Sequence, residues 1–128
     1  MLRHSVIGIL EEIVGFCDEI DDRIYRYHIT SKSITMDSSH ADLILMPLCQ
    51  IGEVVQRSRD VLDANCPEMP WHQMAGLRNV IVHGYTTLDA DTVWETVQID
   101  IPRLLDYCQT KGARYGRDNA LPDLPEQR

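Results

Sequence analysis

Between Leu2 and His28, apolar residues return at positions 2, 6, 9, 13, 16, 20 and 24. Steps of three and four place them along one stripe of an α-helix; a strand would scatter them over both faces. A helix this long must bury its stripe against other elements. The other side carries Glu11, Glu12, Asp18, Asp21 and Asp22 and is expected to face water.

The remaining pattern is also helical. Thr30-Ser31-Lys32-Ser33 breaks the first helix, and Asp37-Ser38-Ser39 offers N-cap oxygens for a second. That helix is expected to run to about Arg57 through Leu43–Met46, Leu48, Ile51, Val54 and Val55. Its apolar residues lie on more than one side, which suits a central position or a subunit contact. Pro47 falls inside it, so the helix must kink there or start later. Asn65–Pro70 reads as a loop, with Pro70 at the first position of a third helix carrying Trp71, Met74, Leu77 and Ile81. Gly84 would end it. Asp89 or Asp91 then caps a fourth helix through Val93, Trp94, Val97, Ile101, Leu104, Leu105 and Cys108, which Pro102 should kink or split. After Lys111-Gly112 the chain turns polar, with Pro122 and Pro125. The expectation is an all-α, antiparallel four-helix bundle over residues 1–110 and a flexible C-terminal tail over 111–128.

Composition narrows the functional classes. With 128 residues the chain can bury one core without staples. No apolar run approaches the roughly 20 residues of a membrane span, and Val6–Leu10 is too short for a signal segment. A cytoplasmic location is expected. Cys17, Cys49, Cys66 and Cys108 lack metal-knuckle spacing and read as core or half-buried thiols. His4, His28, His40 and His72 show no paired ligand spacing, and no Glu-x-x-His pair marks a carboxylate di-metal bundle. No metal or cofactor is expected. The net charge of −8 argues against a protein that coats nucleic acid. The bases are scattered or come late: Arg57, Arg59, Arg78, then Arg103, Lys111, Arg114 and Arg117.

One stretch concentrates chemistry: Arg78-Asn79-Val80-Ile81-Val82-His83-Gly84-Tyr85. Arginine forks onto phosphate with a fixed charge. Histidine exchanges a proton near neutral pH. Alone, an Arg and a His near a helix end are an ordinary pair favoured by the C-terminal dipole. Trp71 and Trp94 read as core or interface anchors before base-stacking platforms. Gly52 suits close helix packing, and Glu53 either a solvated carboxylate or a partner for a motif arginine.

The pieces Ile51-Gly52-Glu53, Pro67-Glu68-Met69-Pro70-Trp71, Arg78–Tyr85, Val93-Trp94 and Ile101-Pro102 together resemble the HepT-like family of HEPN-domain ribonucleases over roughly residues 1–110. The family signature is Arg, four to six residues, His, any residue, Tyr. The Ser31–Asp37 connection departs from it, being polar and short. The resemblance implies a HEPN-like bundle that dimerises through its helices. It implies the toxin half of a bacterial toxin–antitoxin pair, an endoribonuclease that needs no metal and leaves a 2′,3′-cyclic phosphate. Arg78 and His83 would be catalytic and Asn79 supporting. Tyr85 would be adenylylated from ATP by the partner, a minimal nucleotidyltransferase antitoxin. The alternative is a non-catalytic helical partner, or nucleotide-binding subunit, of a nucleotidyltransferase, which the acidic balance favours slightly.

The chemistry is coherent with those residues. RNA carries its own nucleophile, the 2′-hydroxyl. Cleavage needs a proton carrier and charge on the pentacovalent phosphate. His83 suits the first and Arg78 the second. Five helical residues turn about 500°, which leaves Arg78 and His83 about 140° apart on a straight helix. Either the helix unwinds near His83, or a homodimer or larger oligomer brings two motifs into one cleft.

Overall fold

The computed structural model describes residues 2–76 and 89–118, and all its regular elements there are helices. α1 spans Leu2–Tyr27, α2 Ser31–Met36, α3 Ser38–Arg57 and α4 Arg59–Asn65. Residues 71–76 are helical and are called α5. α6 is Ala90–Glu95, a π-helical turn covers Thr96–Asp100, and α7 is Ile101–Asp118. α1 lies against α3 and α7 and also meets α4; α2 bridges α3 and α6. The architecture is the expected all-α bundle.

The buried line of α1 is Val6, Leu10, Ile13, Cys17 and Ile20, with Ile9, Phe16 and Ile24 half-buried beside it. The predicted stripe is thus rotated slightly, toward α7. α1 ends where expected. His28 takes φ 54°, and the Ile29 amide donates to the Ile24 carbonyl at 3.1 Å. That is the closing bond of a left-handed helix stop, with buried Ile29 as its apolar plug.

Two connections differ from the sequence reading. The polar Thr30–Ser33 segment is a helix start: Thr30 Oγ1 accepts from the Ser33 amide, and Ser33 Oγ accepts from the Thr30 amide. This reciprocal cap launches α2 and buries Ile34. The second difference is α7, which continues through Lys111–Asp118, where the sequence suggested a tail. Gly112 and Gly116 face α1 there, and a Cβ on either would stand 3.9 Å from Leu10 Cδ1 or Ile7 Cδ1. Packing on α1 holds a stretch whose composition alone argues against helix.

Asp37 caps α3 by accepting from the Ser39 amide at 2.9 Å, and Arg57 is its last residue, as predicted. Pro47 lies buried inside an unbroken α3. Proline lacks the amide that would have served the carbonyl four residues back, which is Leu43. Arg23 of α1 fills the gap: its Nη1 donates to Leu43 O at 2.8 Å. Pro102 is accommodated differently. Ahead of it the hydrogen bonds lengthen by one residue, the Ile101 amide reaching Thr96 O, and α6 and α7 are separated by this wider turn.

Candidate functional site

Arg78, Asn79, His83 and Tyr85 all lie outside the described residues, as does Gly84. What the structure places is the frame from which that segment leaves and to which it returns. It leaves from α5 and returns at Asp89. Asp89 is the cap of α6, accepting from the Asp91 amide at 3.0 Å and from Thr92 Oγ1 at 3.2 Å.

The start of α5 is fixed tightly. The Pro70 carbonyl accepts from the Gln73 amide at 3.1 Å and the Met74 amide at 3.3 Å. Pro70 therefore precedes the helix by one residue instead of opening it. Trp71 is buried, and its Nε1 donates to Cys66 O at 2.7 Å, closing the Cys66–Trp71 loop on itself. The Trp71 ring meets Tyr107 of α7 edge-on, with centroids 6.0 Å apart and planes at 71°. The Tyr107 hydroxyl donates to Glu68 Oε1 at 2.5 Å, and Lys111 Nζ stands 3.5 Å from the same oxygen.

The electrostatics of this knot follow its geometry. The Tyr107 hydroxyl bond holds the Glu68 carboxyl below its ordinary value, and Lys111 adds to the effect. Burial, then the bond to Glu68, pushes Tyr107 up, so its hydroxyl stays a donor. Cys17 and Cys108, across the α1–α7 contact, are pushed up to about 12, first by burial. Burial also raises Cys66. These thiols are protonated at neutral pH and serve as packing groups, not nucleophiles. The predicted core or half-buried environment holds for all four cysteines.

Gly52 is buried on α3, and Glu53 beside it is exposed. Ile51 reaches a small cleft of about 120 Å³ between α3, α5, the π turn and α7. Among the described residues Gln73, Met74, Thr96 and Asp100 also line it. Trp94 is half-buried against the core. His28 and His72 are exposed, and His40 lies 3.8 Å from Asp37. No cluster of potential metal ligands occurs among the described residues. Nor is any of the described helices long and apolar enough to cross a membrane.

The described residues thus tie the start of α5 to α7 and to the Cys66–Trp71 loop, and carry no reactive pair themselves. Tyr107, Lys111 and Arg23 were not singled out for these contacts from the sequence. Tyr107 meets Glu68 across 39 residues, and no local pattern encodes that pairing.

Residues 11–110 match the model of the family described as ribonuclease HepT-like. A Methanocaldococcus jannaschii protein described as an RNase is 27% identical over 101 residues, covering 79% of each chain. A Thermococcus cleftensis protein described as a probable ribonuclease HepT is 28% identical over 103 residues, covering 80% of this chain and 92% of that one. A Caldanaerobacter subterraneus protein described as an RNase is 26% identical over 95 residues, or 74% and 83% of the two chains. No solved structure matches the chain.

Proposed function

The chain belongs to the HepT-like ribonuclease family, and on that premise we propose that it is the toxin of a toxin–antitoxin pair. It cuts RNA internally, without a metal, using Arg78 and His83 in a cleft shared by two copies. One observation carries this reading: the Arg78–Tyr85 motif, complete in residue type and spacing, lies inside the stretch that matches a ribonuclease family.

His83 moves the proton between the 2′-hydroxyl and the leaving 5′-oxygen, and Arg78 holds the charge that builds on the phosphorus oxygens. Asn79 orients the phosphate or the ribose. The products are a 2′,3′-cyclic phosphate and a 5′-hydroxyl. Tyr85 is the regulatory position. A nucleotidyltransferase partner adds AMP to its hydroxyl, and the new anion beside Arg78 and His83 repels the RNA backbone. The fixed start of α5, just ahead of Arg78 in sequence, supports this reading, because a group that grips phosphate must be held in place.

The test is cleavage of an RNA substrate by purified protein in excess chelator, with ends mapped. Fragments with a 5′-hydroxyl, absent with His83→Ala, are expected. Equal cleavage by wild type and His83→Ala would sink the assignment of His83. For the regulatory half, intact mass should rise in AMP steps when the partner and ATP are present. Tyr85→Phe should abolish the gain.

A further inference from the structure

The continuation of α7 aligns cations that the sequence left scattered. At about 100° per residue, Arg103, Arg114 and Arg117 fall within about 60° of one another, on the side turned away from the buried Cys108. All three are exposed. Lys111 flanks the stripe, beside a surface groove of about 340 Å³ also lined by Glu68, Asp106, Tyr107, Thr110 and Arg114.

The pairing of charges sets this face apart. Arg23, Arg26, Arg57, Arg59 and Lys111 each lie within reach of a carboxylate. Among the described side chains the remaining cations are Lys32, Arg103, Arg114 and Arg117, and the three arginines share one face of one helix. The C-terminal dipole accounts for Arg117, in the last turn, but not for Arg103. It acts over the last turn, and Arg103 stands fifteen residues before the end at Asp118. Asp106 stands on the same face, but among the described residues no carboxylate lies within ion-pair reach of the three arginines, and in a chain of net charge −8 such a row suits a polyanion.

We infer that the outer face of α7 binds the phosphate backbone of RNA, independently of sequence, through Arg103, Arg114 and Arg117. The spacing supports this: the outer two stand about 21 Å apart along the axis. Arginine is the side chain that forks onto phosphate. Tyr107 is tied to Glu68 and Trp71, so the stripe reads charge and does not stack bases. The contact of Tyr107 and Lys111 with Glu68 brings this face beside the start of α5, which precedes the Arg78 motif in sequence.

The inference takes its ligand from the ribonuclease reading, and the experiment separates the two. The probe is a fluorescent 20-nucleotide 2′-O-methyl RNA, which lacks the nucleophile for cleavage. Its affinity is measured from 50 to 200 mM salt. Each phosphate contact on a single strand contributes about 0.7 to the log–log salt slope. The triple variant Arg103→Gln, Arg114→Gln, Arg117→Gln should lose about 2 from that slope, or roughly fifteen- to twenty-fold more affinity at 50 mM than at 200 mM. The corresponding triple lysine variant should bind nearly as wild type, and Lys32→Gln should be unchanged. Should the glutamine triple not keep its helical signal, the single variants carry the test, at about 0.7 each. An unchanged slope overturns the inference. So does a triple variant that alters oligomer size but not RNA affinity, which would make the face a protein contact. Wild type that cleaves unmodified RNA while the triple binds and cleaves normally sinks only the stripe. Stripe-dependent binding by a protein that cuts no RNA sinks only the nuclease reading.

Discussion

Arg23 and Pro47 are 24 residues apart and act as one unit. Pro47 leaves the Leu43 carbonyl without its helical donor, and the guanidinium of Arg23 replaces it at 2.8 Å. A hydrogen bond from a charged group is worth about 1.5–3 kcal/mol, and part-exposure lowers that toward the bottom of the range. Arg23→Ala should therefore cost about 1–2 kcal/mol in urea unfolding. In a Pro47→Ala background the backbone supplies its own amide, and the same change should cost less than half as much. Equal costs in the two backgrounds would mean that Arg23 acts through Glu19 or its aliphatic stem instead. Glu68 makes a second residue-scale case. Its carboxyl is held below the ordinary 4.5, so the folded state favours the ionised form. That contribution is present above about pH 4.5 and disappears as pH falls through the lowered folded value. Wild type should lose stability over that acid range more steeply than Glu68→Gln, read as Tm against pH. Parallel profiles would show that the Tyr107 bond does not distinguish the two protonation states.

At the scale of elements, α7 carries the clearest energetic prediction. Glycine inside a helix costs about 0.8–1 kcal/mol relative to alanine. At Gly112 and Gly116 the added methyl would meet only ordinary contact at 3.9 Å. Gly112→Ala and Gly116→Ala should each raise stability by up to about 1 kcal/mol, or a few degrees in Tm. A lower Tm would mean that α1 and α7 approach more closely than these distances allow. The same helix marks what sequence can and cannot express. The ends of α1 and α3 were legible, and the cap of α6 was narrowed to Asp89 or Asp91, of which Asp89 holds it, because caps and periodicity are local. α2 was not, since Ser33 stands where a capping box more often shows a glutamate or glutamine. The last two turns of α7 were not, since their glycines are helical only by packing on Leu10 and Ile7. The candidate site divides the same way. Its residue types and spacing can be read directly at Arg78–Tyr85, whereas the Tyr107–Glu68–Trp71 knot at the start of α5 depends on contacts between distant segments.

For the whole molecule, the question is whether one chain can hold a complete site. Arg78 and His83 stand about 140° apart on any straight helix, so one copy cannot present both from a single face without unwinding. A two-fold axis solves this without distortion, because each cleft then takes Arg78 from one copy and His83 from the other. The exposed Met46 on α3 and the exposed Tyr25 and Tyr27 at the end of α1 are apolar or aromatic surface that such an axis could cover. The arrangement has a consequence that a self-contained site lacks. Arg78→Ala and His83→Ala should each be inactive alone. Co-expressed, half of their dimers would be mixed, and a mixed dimer would contain one cleft with both residues intact and one with neither. Recovered activity should approach a quarter of wild type if assembly is random. Dilution through the dimer dissociation range should remove it again. If unwinding near His83 builds the site within one chain, every cleft in the mixture lacks one residue, and no activity returns at any concentration.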